Sequence, residues 1–368
     1  MFGYVLTLFL MFLGYYAFPN KTRYSQKNFL ILTTIIMIFF YGLRASTVGS
    51  DTISYINMFI EDGSQPLSNL WTYMWKEKSP AFVLCEWLFY RILPFPQLWL
   101  IVTSAFFFIA FSKFIYENSE TPVYSYFMFF TIFGTFQMTG VRQSCAMAVF
   151  MFAYQYIKKK KLFKYLLMIG LAYLFHKSAI VLLPIYWFKN RKVRRFDVLI
   201  IVAVIVAIYR NRLELFDYIK GFTSYNHFEM LQHGEPINFS LMIYATTLLS
   251  FLLYCILAEK VRRVKSKNNI ELHMQMIERD LPYYSLYTNS MYFASFFMPL
   301  VAVNGSVRRI VMYYALFMVI IVPKGISALF PEQRMQVILK SLLGALLIYL
   351  LLSGVAGSSY AYSLCFFE

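Results

Sequence analysis

Apolar runs of about 15 to 22 residues recur along the chain, separated by short stretches rich in Lys, Arg, Tyr and Asn. A helix rises 1.5 Å per residue and a bilayer's hydrocarbon core is ~30 Å thick, so such runs predict membrane-crossing helices. Spans are predicted at 2–18, 29–43, 97–112, 122–138, 141–157, 162–176, 178–188, 196–209, 238–258, 283–303, 309–322 and 338–356. A transmembrane barrel would show short alternating strands instead. The spans 178–188 and 196–209 are short and need tilt, local thinning or helical extension to cross. Residues 80–93 are apolar, but Glu86, Arg91 and the Pro94-Phe95-Pro96 stop predict an amphipathic or re-entrant helix on the outer surface. Asp51-Thr52 is placed to cap a further helix whose apolar stripe is Ile53, Ile56, Phe59 and Ile60. The expected architecture is thus an all-α polytopic membrane protein of about twelve transmembrane helices plus outer amphipathic helices.

Composition agrees with that pattern. At 60% hydrophobic and 14% charged, the 368 residues hold more apolar surface than one soluble core can hide. Met1 runs straight into apolar sequence and no small-residue cleavage site precedes the basic stretch Lys21 to Lys27, so the first segment is expected to stay as a span. One membrane domain, 1–368, with outer loops at 44–96 and 210–238, is the simplest organisation.

Charge adds orientation. Lys and Arg number 34 against 18 Asp and Glu. Threading the spans alternately places 23 of the 34 in the loops 19–28, 113–121, 158–164, 189–195, 259–281 and 323–340, which marks that side as cytoplasmic. Both chain ends then fall outside. The runs Lys158 to Lys161, Lys189 to Arg195 and Lys260 to Lys267 are topology signals, and no nucleic-acid partner is implied.

Candidate chemistry lies on the opposite face. Arg44, Asp51 and Tyr55 fall in the first outer loop, Arg142 at the outer start of a span, His176-Lys177 in an outer turn, and Arg308-Arg309 at another outer helix end. Taken singly, each has a plain reading, with the arginines as snorkelling anchors, Asp51 as a helix cap and His176 as a turn residue. Arginines placed against the charge bias need another reason to be there. The four cysteines, Cys85, Cys145, Cys255 and Cys365, show no paired ligand spacing. There is no Asp-x-Asp pair, and His176, His227, His233 and His273 form no close-spaced ligand set, although Glu229 and His233 could share a helix face. Neither a metal nor another cofactor is expected.

The stretches GLRASTVGSDTISY (42–55) and VRQSCAMAVFMFAYQYIKKKKLFKYLLMIGLAYLFHKSAIVLLPIY (141–186) resemble the EpsG-type membrane proteins of bacterial exopolysaccharide loci, a group similar to the Wzy O-antigen and capsule polymerases. The first carries Arg44, Gly49, Asp51, Thr52 and Tyr55; the second carries Arg142-Gln143, the lysine run, Phe175-His176-Lys177-Ser178-Ala179 and Pro184. Arg308-Arg309 and Tyr360-Ala361-Tyr362 extend the likeness.

The resemblance implies a fold similar to the C-type glycosyltransferase superfamily. It also implies a polysaccharide polymerase of the bacterial plasma membrane that moves a glycan chain from a polyprenyl-pyrophosphate donor to a lipid-linked repeat unit on the outer face. Arginine suits that leaving group, because its guanidinium forks onto anionic oxygens. Arg44, Arg142, Arg308 and Arg309 are the expected pyrophosphate ligands, with Tyr55 and Lys177 beside the substrate, His176 as the general base and Asp51 as its rival. Membrane lipids, a chain-length regulator and a flippase are the other implied partners. An O-antigen ligase or related lipid-linked glycosyltransferase, a lipid-linked-glycan flippase and a multi-spanning acyltransferase remain alternatives.

Overall fold

The computed structural model describes residues 1–19, 22–76, 79–188, 195–211, 214, 284–302, 307–330 and 332–367. The predicted span 238–258, nearly all of the loop 210–238, Cys255, His227, His233, His273 and the run Lys260 to Lys267 lie outside the described residues.

All described regular structure is helical. In chain order it comprises α1 (Phe2–Ala17), α2 (Arg23–Gly42), α3 (Thr52–Ser64), α4 (Leu67–Lys76), α5 (Pro80–Ile92), α6 (Pro96–Asn118), α7 (Pro122–Thr139), α8 (Val141–Lys158) and α9 (Leu162–Phe175). A 3-10 turn (Lys177–Leu182) leads to α10 (Ile185–Phe188), α11 (Arg195–Arg210), α12 (Tyr284–Phe297), α13 (Val307–Ala315), α14 (Met318–Leu329) and α15 (Gln333–Val355). Proline in the first turn starts α5, α6 and α7, where its missing N–H costs no hydrogen bond. These described residues form two compact units, Met1–Leu183 with Gly344–Glu368, and Pro184–Leu343.

In the first unit, α7 is buried along almost its whole length, and so is α8. Their Ser, Thr and Gln side chains are therefore shielded: Thr34 Oγ1 and Tyr126 Oη pair at 2.8 Å, and Thr131 bonds back to the Phe127 carbonyl at 2.9 Å. The surrounding helices turn apolar residues outward. Phe2, Val5, Phe9, Phe12 and Tyr16 form the exposed stripe of α1, while Gly3, Tyr4, Thr7, Met11 and Gly14 are buried. A lipid-facing helix has this arrangement, because hydrocarbon rather than water is the solvent outside.

Two helices, α6 and α15, are long and apolar enough to cross a membrane alone, and α13 with α14 makes a third if the pair, bent by 45°, is taken as one span. The predicted spans 2–18 and 162–176 appear as shorter apolar helices, and the predicted span 178–188 is a 3-10 turn followed by a single helical turn. About a dozen full crossings is thus more than length and apolarity establish for the described residues. The polar content of α7 and α8 explains part of the gap, since helices shielded by neighbours need not be apolar all round.

In the first unit α5 packs on α3 and α4, while α3 also packs on α6 and α5 on α9. At 13 residues α5 is about 20 Å long, shorter than a hydrocarbon core. The predicted stripe of α3 is rotated in the structure. Ile53 and Ile60 are exposed, whereas Thr52, Tyr55, Phe59 and Asp62 face inward. Ile53 and Ile60 join exposed Leu67, Trp71, Trp75, Leu88 and Ile92 on the outside of these three helices. An outward apolar stripe of this kind is what a lipid-facing surface permits, because isoleucines there need no protein core and the polar side chains do. Gly63 permits the close approach of α3 to α5, since a Cβ there would lie 2.2 Å from the Tyr90 ring.

In the second unit, Phe188 of α10 stacks on Phe293 of α12 with ring centroids 4.6 Å apart. Asn289 Nδ2 donates to the Phe188 carbonyl at 2.9 Å, and Phe297 stacks on Tyr314 of α13.

Candidate functional site

The loop after α2 is built around a buried arginine. Arg44 is 1% exposed; its Nε donates to Thr52 Oγ1 at 3.0 Å, and its two terminal nitrogens donate to the carbonyls of Tyr41 and, at 3.5 Å, Met138. One guanidinium thereby joins the ends of α2 and α7 to the start of α3. Thr52 Oγ1 in turn donates to the Val48 carbonyl at 2.5 Å. Gly49 has φ +88°, and a Cβ there would stand 3.0 Å from Met138 Cβ, so this turn requires glycine on both conformational and steric grounds. Burial lowers the Arg44 pKa to about 10, which leaves it charged at neutral pH.

The C-terminal segment closes over this loop. Ala45 N–H donates to the Ser363 carbonyl and Cys365 N–H to the Leu43 carbonyl, each at 3.0 Å, and Gly49 N–H donates to Ser359 at 2.7 Å. Tyr362 stacks on Phe40 with centroids 4.3 Å apart, and its hydroxyl donates to the Phe40 carbonyl at 2.8 Å.

Asp51 stands at the N-cap position of α3, but its side chain makes no capping bond; it accepts from Ser50 Oγ at 3.0 Å and is half-buried. The expected cap is therefore positional only, which leaves the carboxylate for other work. Tyr55 is buried and donates its hydroxyl to the Thr139 carbonyl at 3.2 Å, tying α3 to the α7–α8 junction.

That junction turns at Gly140 and delivers Arg142 at the start of α8, half-buried. Val141 and Cys145, on either side of Arg142, pack in one cluster with Tyr55, Phe59, Phe82 and Trp99, and Phe175 and Cys85 pack against it. The cluster gathers α3, α5, α8, the start of α6 and the end of α9. His176 follows Phe175 directly as the residue that ends α9, half-buried in extended backbone (φ −155°, ψ 120°), and Lys177 is exposed. Tyr55 lies in this cluster, Arg142 stands in sequence between two of its members, and His176 follows a residue that packs against it.

Two acids that the sequence reading did not single out as chemistry are buried beside this cluster. Glu86 is 0% exposed, and its Oε1 accepts from Trp99 Nε1 at 2.8 Å. Asp62 is also buried and accepts from the Tyr73 hydroxyl at 2.7 Å. Burial first, and then the neighbouring Asp62 carboxyl, push the Glu86 pKa well above the usual carboxylate range, against the pull of the Trp99 N–H and the Arg142 charge. The available signal was an acid inside an otherwise apolar helix. Among the described residues no three His, Cys, Asp or Glu side chains come together as a metal-ligand set.

Arg308, half-buried, and Arg309, exposed, begin α13 in the second unit.

No curated protein and no solved structure gives a match. Residues 27–366 match the sequence model of the EpsG family, nearly the whole chain, and take in the buried arginine loop, the Arg142 junction, His176 and the Tyr362 segment. The chain belongs to the EpsG family, and with its apolar helices this makes it a membrane protein of polysaccharide synthesis.

Proposed function

We propose that this protein is a polysaccharide polymerase, a glycosyltransferase that joins lipid-linked repeat units on the outer face of the bacterial plasma membrane. The observation that supports the reading is the cluster of Tyr55, Val141 and Cys145 against which Phe175 packs, since it gathers the sequence neighbours of Arg142 and His176; the proposal sets those two side chains on one patch beside the Asp51 loop. A transferase acting on a glycosyl diphosphate needs an anion clamp and a base next to each other, and this patch offers both residue types.

In the proposed reaction an acceptor-sugar hydroxyl attacks the anomeric carbon of the donor chain, and the bond from that carbon to the polyprenyl diphosphate breaks. His176 takes the hydroxyl proton, since an imidazole accepts one near neutral pH without a large shift. Arg142 takes the charge that develops on the departing diphosphate, with Lys177 beside it and Arg308 and Arg309 as further candidates. Arg44, sealed in its loop, holds the Asp51 turn in place. Asp51 is the alternative base. The full count of about twelve crossings and a fold similar to the C-type glycosyltransferases belong to this proposal. So do the polyprenyl diphosphate, a flippase that supplies it and a chain-length regulator.

The test is polymer-ladder formation from purified lipid-linked repeat units. His176→Gln is expected to insert normally and make no ladder, Asp51→Asn to keep part of the activity, and Arg142→Lys to lose about tenfold or more, because a lysine keeps the charge without the fork. A near-normal ladder from His176→Gln with none from Asp51→Asn would exchange the two roles. Normal ladders from all three would remove the site.

A further inference from the structure

We infer that Glu86, with Asp62 beside it, is a positioning residue for Arg142: the buried carboxyl pair governs whether the guanidinium is presented to an anionic diphosphate or drawn back into the protein. The inference rests on the reading of Arg142 as the diphosphate clamp.

Three features of the geometry carry it. First, Glu86 is wholly buried: its Oε1 accepts from Trp99, and its carboxyl lies within hydrogen-bonding reach of the buried Asp62 carboxyl. Two buried carboxyls side by side cannot both ionise without large cost, so the pair favours a shared proton. Second, its sequence neighbour Cys85 packs against the cluster that contains Val141 and Cys145, the residues flanking Arg142. The helices carrying Glu86 and Arg142 thus meet at this cluster, and the Arg142 charge acts to lower the Glu86 pKa. Third, the carboxyl is braced rather than mobile. Trp99 fixes it from α6, and Asp62, itself held by Tyr73 of α4, stands beside it from α3.

The consequence follows from charge alone. While Glu86 holds its proton it gives Arg142 no ionic partner, and the guanidinium can fork onto phosphate oxygens. Once Glu86 ionises, its negative charge attracts the same guanidinium and repels the diphosphate, so donor binding weakens. The groups facing Glu86 are Asp62 from α3, with Tyr73 of α4 behind it, and Arg142 and Cys145 from α8; α9, which packs on α5, ends at His176. Of these, Asp62 raises the Glu86 pKa and Arg142 lowers it.

The test measures KM and kcat for a purified polyprenyl-diphosphate repeat unit, with the full-length protein in nanodiscs, from about pH 6 to about pH 9. In the wild type KM is expected to rise about fivefold or more toward the alkaline end. Glu86→Gln keeps the Trp99 bond but cannot ionise; it should give a flat KM, with kcat within about twofold of wild type at the acid end. Asp62→Asn keeps an acceptor for Tyr73 and removes the neighbouring acid, so the rise in KM should move to lower pH. A purely structural role would change expression or melting and leave the three KM profiles parallel. Parallel profiles overturn the inference, and if Glu86→Gln fails to insert, an unmoved profile in Asp62→Asn overturns it by itself. Arg142→Lys run alongside separates the two layers: wild-type KM and kcat there would defeat the clamp reading, whereas loss there with parallel carboxyl variants defeats only this inference.

Discussion

Replacing Arg44 with lysine tests whether this arginine holds the fold, in contrast to Arg142, which is proposed to act on substrate. The Arg44 guanidinium serves three acceptors at once, Thr52 Oγ1 at 3.0 Å, the Tyr41 carbonyl and the Met138 carbonyl at 3.5 Å, at a site 1% exposed. A lysine ammonium is a single point on a flexible stem and cannot reach the ends of α2 and α7 and the start of α3 together. Two buried acceptors would then lose their donor, at about 1–3 kcal/mol each, and the long Met138 contact puts its share at the low end. The expected loss is about 2–4 kcal/mol, which for a unit of this size is a fall in melting temperature of about 5–15 °C. The assay is a thermal melt in detergent followed by tryptophan fluorescence, paired with the polymer ladder. Arg142→Lys, changed at a half-buried helix end, should lose the ladder while melting within about 2 °C of wild type. If Arg44→Lys melts with the wild type, the three-acceptor account of Arg44 is wrong.

Other outcomes follow from the same geometry. Removing residues 358–368 deletes the backbone bonds to Leu43, Ala45 and Gly49, so trypsin should cut after Arg44 in the truncated protein and not in the intact one; resistance in both would mean that the tail does not protect the loop. Folded Glu86 keeps its proton to higher pH than the unfolded chain does, so the folded state binds more protons above the ordinary carboxylate value of 4.5 and stability falls as pH rises from there to the raised folded value. Glu86→Gln should therefore melt higher than wild type at pH above that window, and equal melts would mean that the carboxyl is not held neutral. Single cysteines at Ser50, Lys177 and Ser306 should label from outside, and those at Lys160, Lys192 and Lys265 only after permeabilisation; outside labelling at Lys160 would reverse the orientation.

Much of the helical framework is legible in the sequence because an apolar run of the right length has few alternatives in a bilayer. The ends of α1, α7, α8 and α9 fall within a residue or so of the predicted segments. The face each outer helix buries is harder to read. An apolar stripe marks the core side in water, but at a membrane surface it marks the lipid side, and α3 accordingly turns Ile53 and Ile60 out and Thr52 and Asp62 in. The sequence shows Glu86 as an acid in an apolar helix, a sign against crossing. Its chemistry depends on Trp99, Asp62 and Arg142, three partners on three other helices that no local spacing reveals. Arg44 reads as a loop arginine on the outer face until Tyr362, 322 positions beyond Phe40, closes over the same corner.

Arg44 and Arg142 thus show why residue type alone assigns no role at such a site. Both stand in the motifs of the EpsG family resemblance, and both are arginines at helix ends. What separates them is the acceptor supply. Arg44 spends its donors on a protein hydroxyl and on carbonyls that would otherwise be orphaned, so it works before any substrate arrives. Arg142 has near it a carboxyl whose pKa burial and the Asp62 carboxyl raise, and in the proposed reaction its fork is left for the diphosphate. Helices α3 to α5 give this contrast its setting. With Trp71, Trp75, Leu88 and Ile92 outward and Asp62 and Glu86 inward, α3 to α5 suit the depth at which lipid headgroups lie, where tryptophan is favoured. In the proposed reaction only the sugar and diphosphate would have to leave the bilayer for the patch, and the polyprenyl tail would stay in hydrocarbon. A charged group at headgroup depth is hydrated at little cost, whereas one at the bilayer centre is not, so the proposal places the diphosphate clamp at that depth.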